Sequence, residues 1–474
     1  MLKIFTDVTY LDRRCVEEFD LSEDLLMEHA AMALARQVVA LSSAEARLYI
    51  YCGPGNNGAD GIALARLLSG QLPLSIILPI TAQSQQAKKQ LNRALKLGVV
   101  CTQTRENIAI KPTDIIVDCL FGSGLTRPLD ATMIALITQL NSEHCHKISC
   151  DIPSGINAQG QLSPIAFNSD FTVTMGALKL ALFSDIAKDY VGAIEVAYLG
   201  LPQSLYQANT RYYLLQDSDL KLPIRPAHDS HKGTYGHTAV IAGEKKGAAI
   251  LSSLAAFSMG SGLVSIITNQ DFELPLHIMH SNALPKNVKA IAVGMGLGRN
   301  FWHSAERRVQ LIEILASTCL KLIDADLFYW PEISKYFVQP IVLTPHPKEF
   351  CALLKICKIA DISVAELQGN RFHYVTEFSR QYPEVVVLLK GCNSIISYRE
   401  NIYINNFGSA ILSKGGSGDI LAGLITALLA QGYSPLDAAI NGSIILTKAA
   451  ELCARKMNNY ALKPQDLIDQ LGNL

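Results

Sequence analysis

Short apolar runs, each closed by a polar or glycine-rich turn and followed by a helical stretch, recur along this chain, and that alternation restricts its fold more than any other feature. In the first half the runs are RLYIYC, LSIILP, DIIVDCL, KISCDIP and DFTVTM, with helices expected to about residue 68, over 83–97 and over 131–140. Apolar runs of this length between turn signals are buried strands. Their alternation with helices makes βαβ units, whose strands lie parallel with helices on both faces. LMEHAAMALARQVVAL, ahead of the first run, has helical periodicity and is expected to pack on that sheet. Residues 203–235 lose the pattern to polar residues and prolines, as a linker does. Alternation then resumes with HTAVIAG, a helix, LVSIIT, KAIAVGMGLG, a helix over 305–320, KLIDAD, PIVLTPHP, EVVVLLKG and SIIS. A chain of 474 residues exceeds one ordinary core. The expectation is an α/β protein of two domains, 1–211 and 212–474.

Composition removes several classes of function. Hydrophobic residues make up 49% and charged residues 18%, with a net charge of −1, so neither a disordered chain nor a basic nucleic-acid surface is indicated. Eleven cysteines include no C-x-x-C pair, which suits reduced thiols and a cytoplasmic location. Residues 247–270 carry no charge, but Gly260, Ser261 and Gly262 break them into a helix and the strand LVSIIT, so no membrane span is expected.

GPGNNGADG after the first strand satisfies G-x-G-x-x-G through Gly53, Gly55 and Gly58, the cradle for a pyrophosphate at a helix start in a Rossmann-like domain. A plain dinucleotide site also needs an acidic residue at the end of the second strand. LSIILPI instead runs into Thr81 and Gln83. In its place the loop has Asn56, Asn57 and Asp60, which can hold a cation or a polar ligand. Asp118 in VDCLFGSGLTRP, and Asp151 with Ser154 in DIPSG, end the next strands. If those strands are neighbours, Asn57, Asp118 and Ser154 offer one charged and two neutral oxygens, a set suited to a monovalent cation. The alternative is that Asp118 and Asp151 cap loops.

In the second half SKGGSGD opens an apolar helix. The amides of Gly416, Ser417 and Gly418 can face a phosphate, and Asp419 in the first turn, expected to be ionised, can accept a proton from an attacking hydroxyl. An ordinary capped turn has the same pattern. His346 in LTPHPKEF and Lys390 with Gly391 after VVVLL follow strand ends and face the same crevice, whereas Asp324 and Asp326 are either crevice acids or loop caps. HCH at 144–146 and HIMH at 277–280 lack companion ligands and are expected to be loop histidines.

These motifs together resemble the bifunctional NAD(P)H-hydrate repair enzymes, through GPGNNGADG, VDCLFGSGLTRPL, DIPSGINA and MGALKLALF in the first half and DSHKGTYG, GMGLGR, LTPHPKEF, LLKG and SKGGSGDILAG in the second. The resemblance implies an epimerase domain followed by a dehydratase domain of ribokinase-like fold, acting on NADH or NADPH hydrated at nicotinamide C6. It implies hydrate contacts in the first domain from Asn56, Asn57, Gly58, Ala59, Asp60, Gly122, Ser123, Gly124, Leu125, Thr126, Arg127, Pro128 and Asp151, with potassium at Asn57, Asp118 and Ser154. In the second it implies hydrate contacts from Ala248, Gly298, His346 and Asp419, and ADP or ATP contacts from Lys390, Gly391, Cys392, Asn393, Ser394 and Gly418, with magnesium expected. Asp151 is the expected acid/base of epimerisation and Asp419 the base of dehydration; a homo-oligomer is expected. Ala59, His29, Ala31 and Lys414 depart from the usual family pattern. The rival is a ribokinase-like vitamin or sugar kinase fused to a nucleotide-binding regulatory domain.

Overall fold

The computed structural model describes residues 1–104 and 109–474. It contains two compact units, one of Lys3–Tyr212 and one of Tyr213–Leu474 with Met1 and Leu2.

The first unit is built on a parallel sheet in the order Cys101–Thr102, Leu74–Ile77, Leu48–Cys52, Ile115–Cys119, His146–Cys150, Phe171–Met175 and Ala193–Ala197. Its central strands are buried along their whole length, because helices cover both faces. The expected helices appear as Asn56–Leu68, Gln85–Lys96 and Ala131–Ser142, and Glu23–Leu41 packs on Asn56–Leu68. Ser22, Ser84 and Asp130 cap three of them by accepting first-turn amides. Strand order reverses between Leu48–Cys52 and Ile115–Cys119. Loops leaving the carboxyl ends diverge there and open a crevice, and those loops carry Gly53–Asp60 and Asp118–Pro128. The sequence pattern did not reveal the helix Thr9–Phe19, whose polar residues and lack of a side-chain cap hide it.

The second unit's sheet runs Met279–Ser281, Leu263–Ile267, His237–Ile241, Ala290–Val293, Leu320–Ile323, Ile341–Leu343, Val385–Leu389, Ser394–Tyr398 and Asn401–Asn405. All pairs are parallel except the last two, where short hairpins can only join antiparallel neighbours. Residues 247–270 resolve into the helix Lys246–Ser258 and the strand Leu263–Ile267, and no helix among the described residues is long and apolar enough to cross a membrane. The expected helix over 305–320 stops at Ala316, because Leu320 already belongs to the next strand. Ser417–Ala430 is apolar on every side and packs between Lys246–Ser258 and Pro435–Ala454. Its Gly423 permits the close approach: a Cβ there would lie 2.1 Å from the Ser252 carbonyl oxygen. Strand order again reverses between His237–Ile241 and Ala290–Val293, beside the glycines of GMGLG.

Candidate functional site

In the first unit the glycine loop is fixed by sterics. A Cβ on Gly53 would lie 1.7 Å from the Leu120 carbonyl oxygen, and one on Gly58 would lie 2.0 Å from that of Gly53. Gly55, by contrast, has open space around it. Ala59 sits fully buried in the helix with a negative φ, so its methyl is accommodated.

Because the strands ending in Cys52, Cys119 and Cys150 are adjacent, the predicted residues converge. The Asp118 carboxylate is fully buried and accepts from Leu120 N (3.1 Å), Ser149 Oγ (3.2 Å), Ser154 N (2.8 Å) and Ser154 Oγ (2.6 Å). Burial pushes its pKa up to about 6 against those donors. Ser154 Oγ also meets Phe121, accepting from its amide at 2.8 Å and lying 3.1 Å from its carbonyl oxygen. A Cβ on the next residue, Gly122, would lie 3.1 Å from Asn57 Oδ1 and 3.1 Å from Asp151 Oδ2. Asn57 Nδ2 is buried with no hydrogen-bond partner among the described residues. Asp118 therefore ties loops and shares a buried pair of oxygens with Ser154, while Asn57 Oδ1 reaches the same loop at Gly122. Those donors are hard and carry one formal charge, which fits a monovalent cation better than zinc. Among the described residues no group of three or more His, Cys, Asp or Glu could hold a metal, HCH and HIMH included.

Asp151 has a left-handed backbone, φ 70°, unusual for a non-glycine residue. Its Oδ1 meets Lys179 Nζ at 2.6 Å, Met175 N at 3.2 Å and Thr174 Oγ1 at 3.5 Å, while Oδ2 has only Ser123 N at 3.3 Å among the described residues and faces the space over Gly122. Burial would raise this carboxyl, but the Lys179 ammonium and the two amides outweigh it and hold it below the usual range. Lys179, 4% exposed, also donates to Thr174 Oγ1 and the Met175 carbonyl oxygen. Gly124–Pro128 extends from this loop as a mainly exposed turn. A cleft of about 450 Å³ lies alongside, lined by Asp12, Asn56, Asp60 and Met175 among others. Asp12 receives the Tyr206 hydroxyl at 2.7 Å. Sequence reasoning missed Asp12, Lys179 and Tyr206. A lone lysine within the apolar MGALKLALF was the available signal for one of them.

In the second unit Gly416 takes φ 98° at the start of the helix Ser417–Ala430, where a Cβ would lie 2.6 Å from Pro464. The amides of Gly418 and Asp419 lie in the first turn, where a helix supplies no acceptors. The Ser417 amide differs from expectation, because it bonds the Lys414 carbonyl oxygen at 3.4 Å. Asp419 is ionised at neutral pH but not ordinary: burial first, then the charge of Asp324, push it up to about 6, with Lys390 and Lys245 opposing. Lys390 Nζ reaches Asp324 at 2.7 Å and stands 3.3 Å from where a Cβ on Gly418 would be. Asp324 is thus a crevice acid, whereas Asp326 caps a loop by accepting Gly298 N at 2.9 Å. Gly298 has φ 88°, and a Cβ there would lie 2.3 Å from the Glu244 carboxyl carbon. Ala248 lies in the helix Lys246–Ser258 beside Gly296 of the same loop. Gly391, Cys392 and Asn393 turn between strands, leading into Ser394. His346 caps the helix Pro347–Ile356: its Nδ1 accepts the amides of Lys348 and Glu349 at 3.1 and 3.3 Å, and Nε2 faces Glu349 Oε1 at 3.1 Å. Those bonds select the tautomer protonated at Nε2.

Known proteins resemble both units. A family model described as YjeF-related protein N-terminus matches residues 23–181, and one described as NAD(P)H-hydrate dehydratase matches residues 238–473. The bifunctional NAD(P)H-hydrate repair enzyme Nnr of Helicobacter pylori is 42% identical over 100% of both chains. Its counterpart in Coxiella burnetii is 31% identical over 97% of this chain and 96% of its own. The crystal structure of the ADP/ATP-dependent NAD(P)H-hydrate dehydratase from Bacillus subtilis, co-crystallised with ATP/Mg2+, is 28% identical, covering 53% of this chain and 92% of its own with a TM-score of 0.46.

Proposed function

This chain belongs to the bifunctional NAD(P)H-hydrate repair enzymes, and from that membership we propose that it restores NADH and NADPH hydrated at nicotinamide C6. The first unit interconverts the R and S hydrates. The second dehydrates the S hydrate at the expense of ADP or ATP. Hydroxide is a poor leaving group, so the second unit transfers a phosphoryl group to the C6 hydroxyl; phosphate then departs with the C6–O electron pair, C5 gives up a proton to solvent, and the C5–C6 double bond restores conjugation.

The observation that carries this proposal is the placement of Asp419. It sits in a helix first turn with unbonded amides, half-enclosed, with an acidity near neutrality and a lysine–aspartate pair beside it. A carboxylate near pKa 6 takes a hydroxyl proton at neutral pH, while helix-start amides and Lys390 stabilise phosphoryl charge. Nucleotide would lie along Lys390–Ser394 and Gly418, and the hydrate against Ala248, Gly298, His346 and Asp419. In the first unit the hydrate would meet Asn56–Asp60, Gly122–Pro128 and Asp151, whose Oδ2, held only by the Ser123 amide and facing the space over Gly122, supports an acid/base role. Asn57, Asp118 and Ser154 would hold potassium, which supplies positive charge beneath the loop. Magnesium would enter on the nucleotide phosphates.

The test is to incubate purified protein with mixed hydrate epimers and ADP or ATP. Recovery of reduced-nicotinamide absorbance with equimolar inorganic phosphate is the expected result. Accumulation of a phosphoester without that recovery would show a kinase instead.

A further inference from the structure

In the first unit the buried ion pair of Asp151 and Lys179 has two further carboxyl groups nearby, those of the half-buried Asp60 and Asp12. Asp60, on the helix Asn56–Leu68, and Asp12, on the helix Thr9–Phe19, both line the cleft. Asp60 Oδ2 lies 3.9 Å from the Cys150 thiol, the residue before Asp151. Lys179 is committed to Asp151 at 2.6 Å, and Asp12 is committed to the Tyr206 hydroxyl at 2.7 Å. Among the described residues Asp60 has no cationic partner within ion-pair distance and no donor beyond that weak thiol contact. One ammonium among three carboxyls leaves an excess of negative charge in a site partly withdrawn from water, which favours a proton on one of them. The unpaired group is the one that keeps it.

Resting on the epimerase reading above, we propose that Asp60 is the proton-donating catalytic residue of epimerisation, acting with Asp151 as the proton-accepting one, and that Lys179 is the positioning residue that decides which of the two starts ionised. Asp60 gives its proton to the C6 hydroxyl, and the C6–O bond breaks with its electron pair leaving as water. The N1 lone pair forms the C6–N1 double bond of an iminium. A water adding to the opposite face forms the new C6–O bond, returns the pair to N1 and gives its proton to Asp151 Oδ2. Run in reverse, the same two groups exchange roles, so both epimers are served and no oxidant or reductant enters.

The charge environment agrees with that assignment. Burial, then the charges of Asp151 and Asp12, push Asp60 well above the usual carboxylate range, with the Cys150 thiol and Lys179 opposing. Asp12 is also raised by burial. Arg13, Glu17 and Glu23 complete the charged groups lining the cleft, and Gln86 faces it from the helix Gln85–Lys96. Cys52 and Cys119 lie beneath with thiols that burial keeps neutral.

The decisive measurement is the pH profile of epimerisation for the full-length wild type, Asp60→Asn, Asp60→Glu and Lys179→Met, with dehydration of the pure S epimer as the check that each preparation is folded. Wild-type epimerisation should fall at high pH as Asp60 loses its proton. Asp60→Asn should lower the rate by roughly a hundredfold or more and abolish that alkaline limb, and Asp60→Glu should restore both in part. Lys179→Met should move the acid limb upward, because Asp151 loses the charge that keeps it ionised, which a purely structural lysine would not do. Epimerisation of Asp60→Asn within about threefold of wild type, a surviving alkaline limb in that variant, or an unmoved acid limb in Lys179→Met would overturn the proposal. If Asp151→Asn were fully active while Asp60→Asn was dead, the assignment of Asp151 would fail and that of Asp60 would stand.

Discussion

Replacing Asp419 by Asn separates chemistry from binding in the second unit, because Asn keeps the volume but loses the negative charge and the capacity to accept a proton. General-base contributions are typically about 10²- to 10⁴-fold, so dehydration of the S hydrate should fall by that order. Wild-type activity should itself follow the carboxyl: with a pKa of about 6 it is roughly nine-tenths ionised at pH 7 and roughly one-tenth at pH 5, a fall of about tenfold that the variant should not show. Stability should move the other way. The folded pKa lies above the ordinary value of 3.8, so the ionised form is less favourable in the fold than in the unfolded chain. That penalty is absent below pH 3.8, grows up to about 6 and is complete above it. Raising the carboxyl from 3.8 to about 6 is equivalent to about 3 kcal/mol, an upper figure for what Asp419→Asn could gain at pH 7 and would not gain at pH 3. Nucleotide affinity should hold or tighten, since a nearby negative charge is gone. The assays are phosphate release against pH, nucleotide titration, and thermal melting at both pH values. Phosphate release within a few-fold of wild type, or a variant that keeps the tenfold fall between pH 7 and 5, would refute the base assignment.

Other substitutions test other parts of the two sites. Asp151→Asn should consume about half of a mixed hydrate sample quickly and then slow to the spontaneous interconversion rate, because dehydration takes only one epimer; one fast phase to completion would remove Asp151 from the mechanism. Asp118→Asn deletes the only formal charge among the oxygens of Asn57, Asp118 and Ser154, and should erase any difference in epimerisation rate between potassium and sodium buffers. A difference that persists unchanged would place the cation elsewhere. Gly298→Ala drives a Cβ toward the Glu244 carboxylate and strains φ 88°, a cost of about 1–3 kcal/mol. Dehydration and melting temperature should both drop, and Glu244→Ala should restore part of the loss by removing the clash while leaving the strain.

Much of the α/β architecture could be read from the sequence because parallel strands buried on both faces are written as continuous apolar runs, and RLYIYC and VVVLL have no other plausible use. The meeting of Asp118 and Ser154, with Asn57 on the adjoining loop, followed from the same fact, since neighbouring parallel strands end at one edge. What stayed hidden depends on pairings far apart in sequence. Asp324 and Asp326 sit in one turn and look equivalent until the fold brings Lys390 to one and Gly298 N to the other. Lys179, in the two-residue strand Leu178–Lys179, meets Asp151 far away in sequence, and Asp12 enters the cleft on the helix Thr9–Phe19, whose polar composition offers no apolar run. His346 was placed in the crevice by its position after a strand, and its capping of Pro347–Ile356 adds a second reason for a histidine there.

Both units set a carboxylate beside a lysine at the carboxyl edge of a parallel sheet, yet they use the lysine differently. In the first, Lys179 bonds Asp151 directly and holds it ionised, leaving Asp60 to keep a proton. In the second, Lys390 bonds Asp324, so Asp419 feels the ammonium only at a distance and burial dominates, bringing it to about 6. Epimerisation must protonate and deprotonate equivalent oxygens on two faces of one carbon, which calls for two groups of opposite protonation state. Phosphoryl transfer needs one acceptor that is ionised at neutral pH and still basic enough to take a hydroxyl proton.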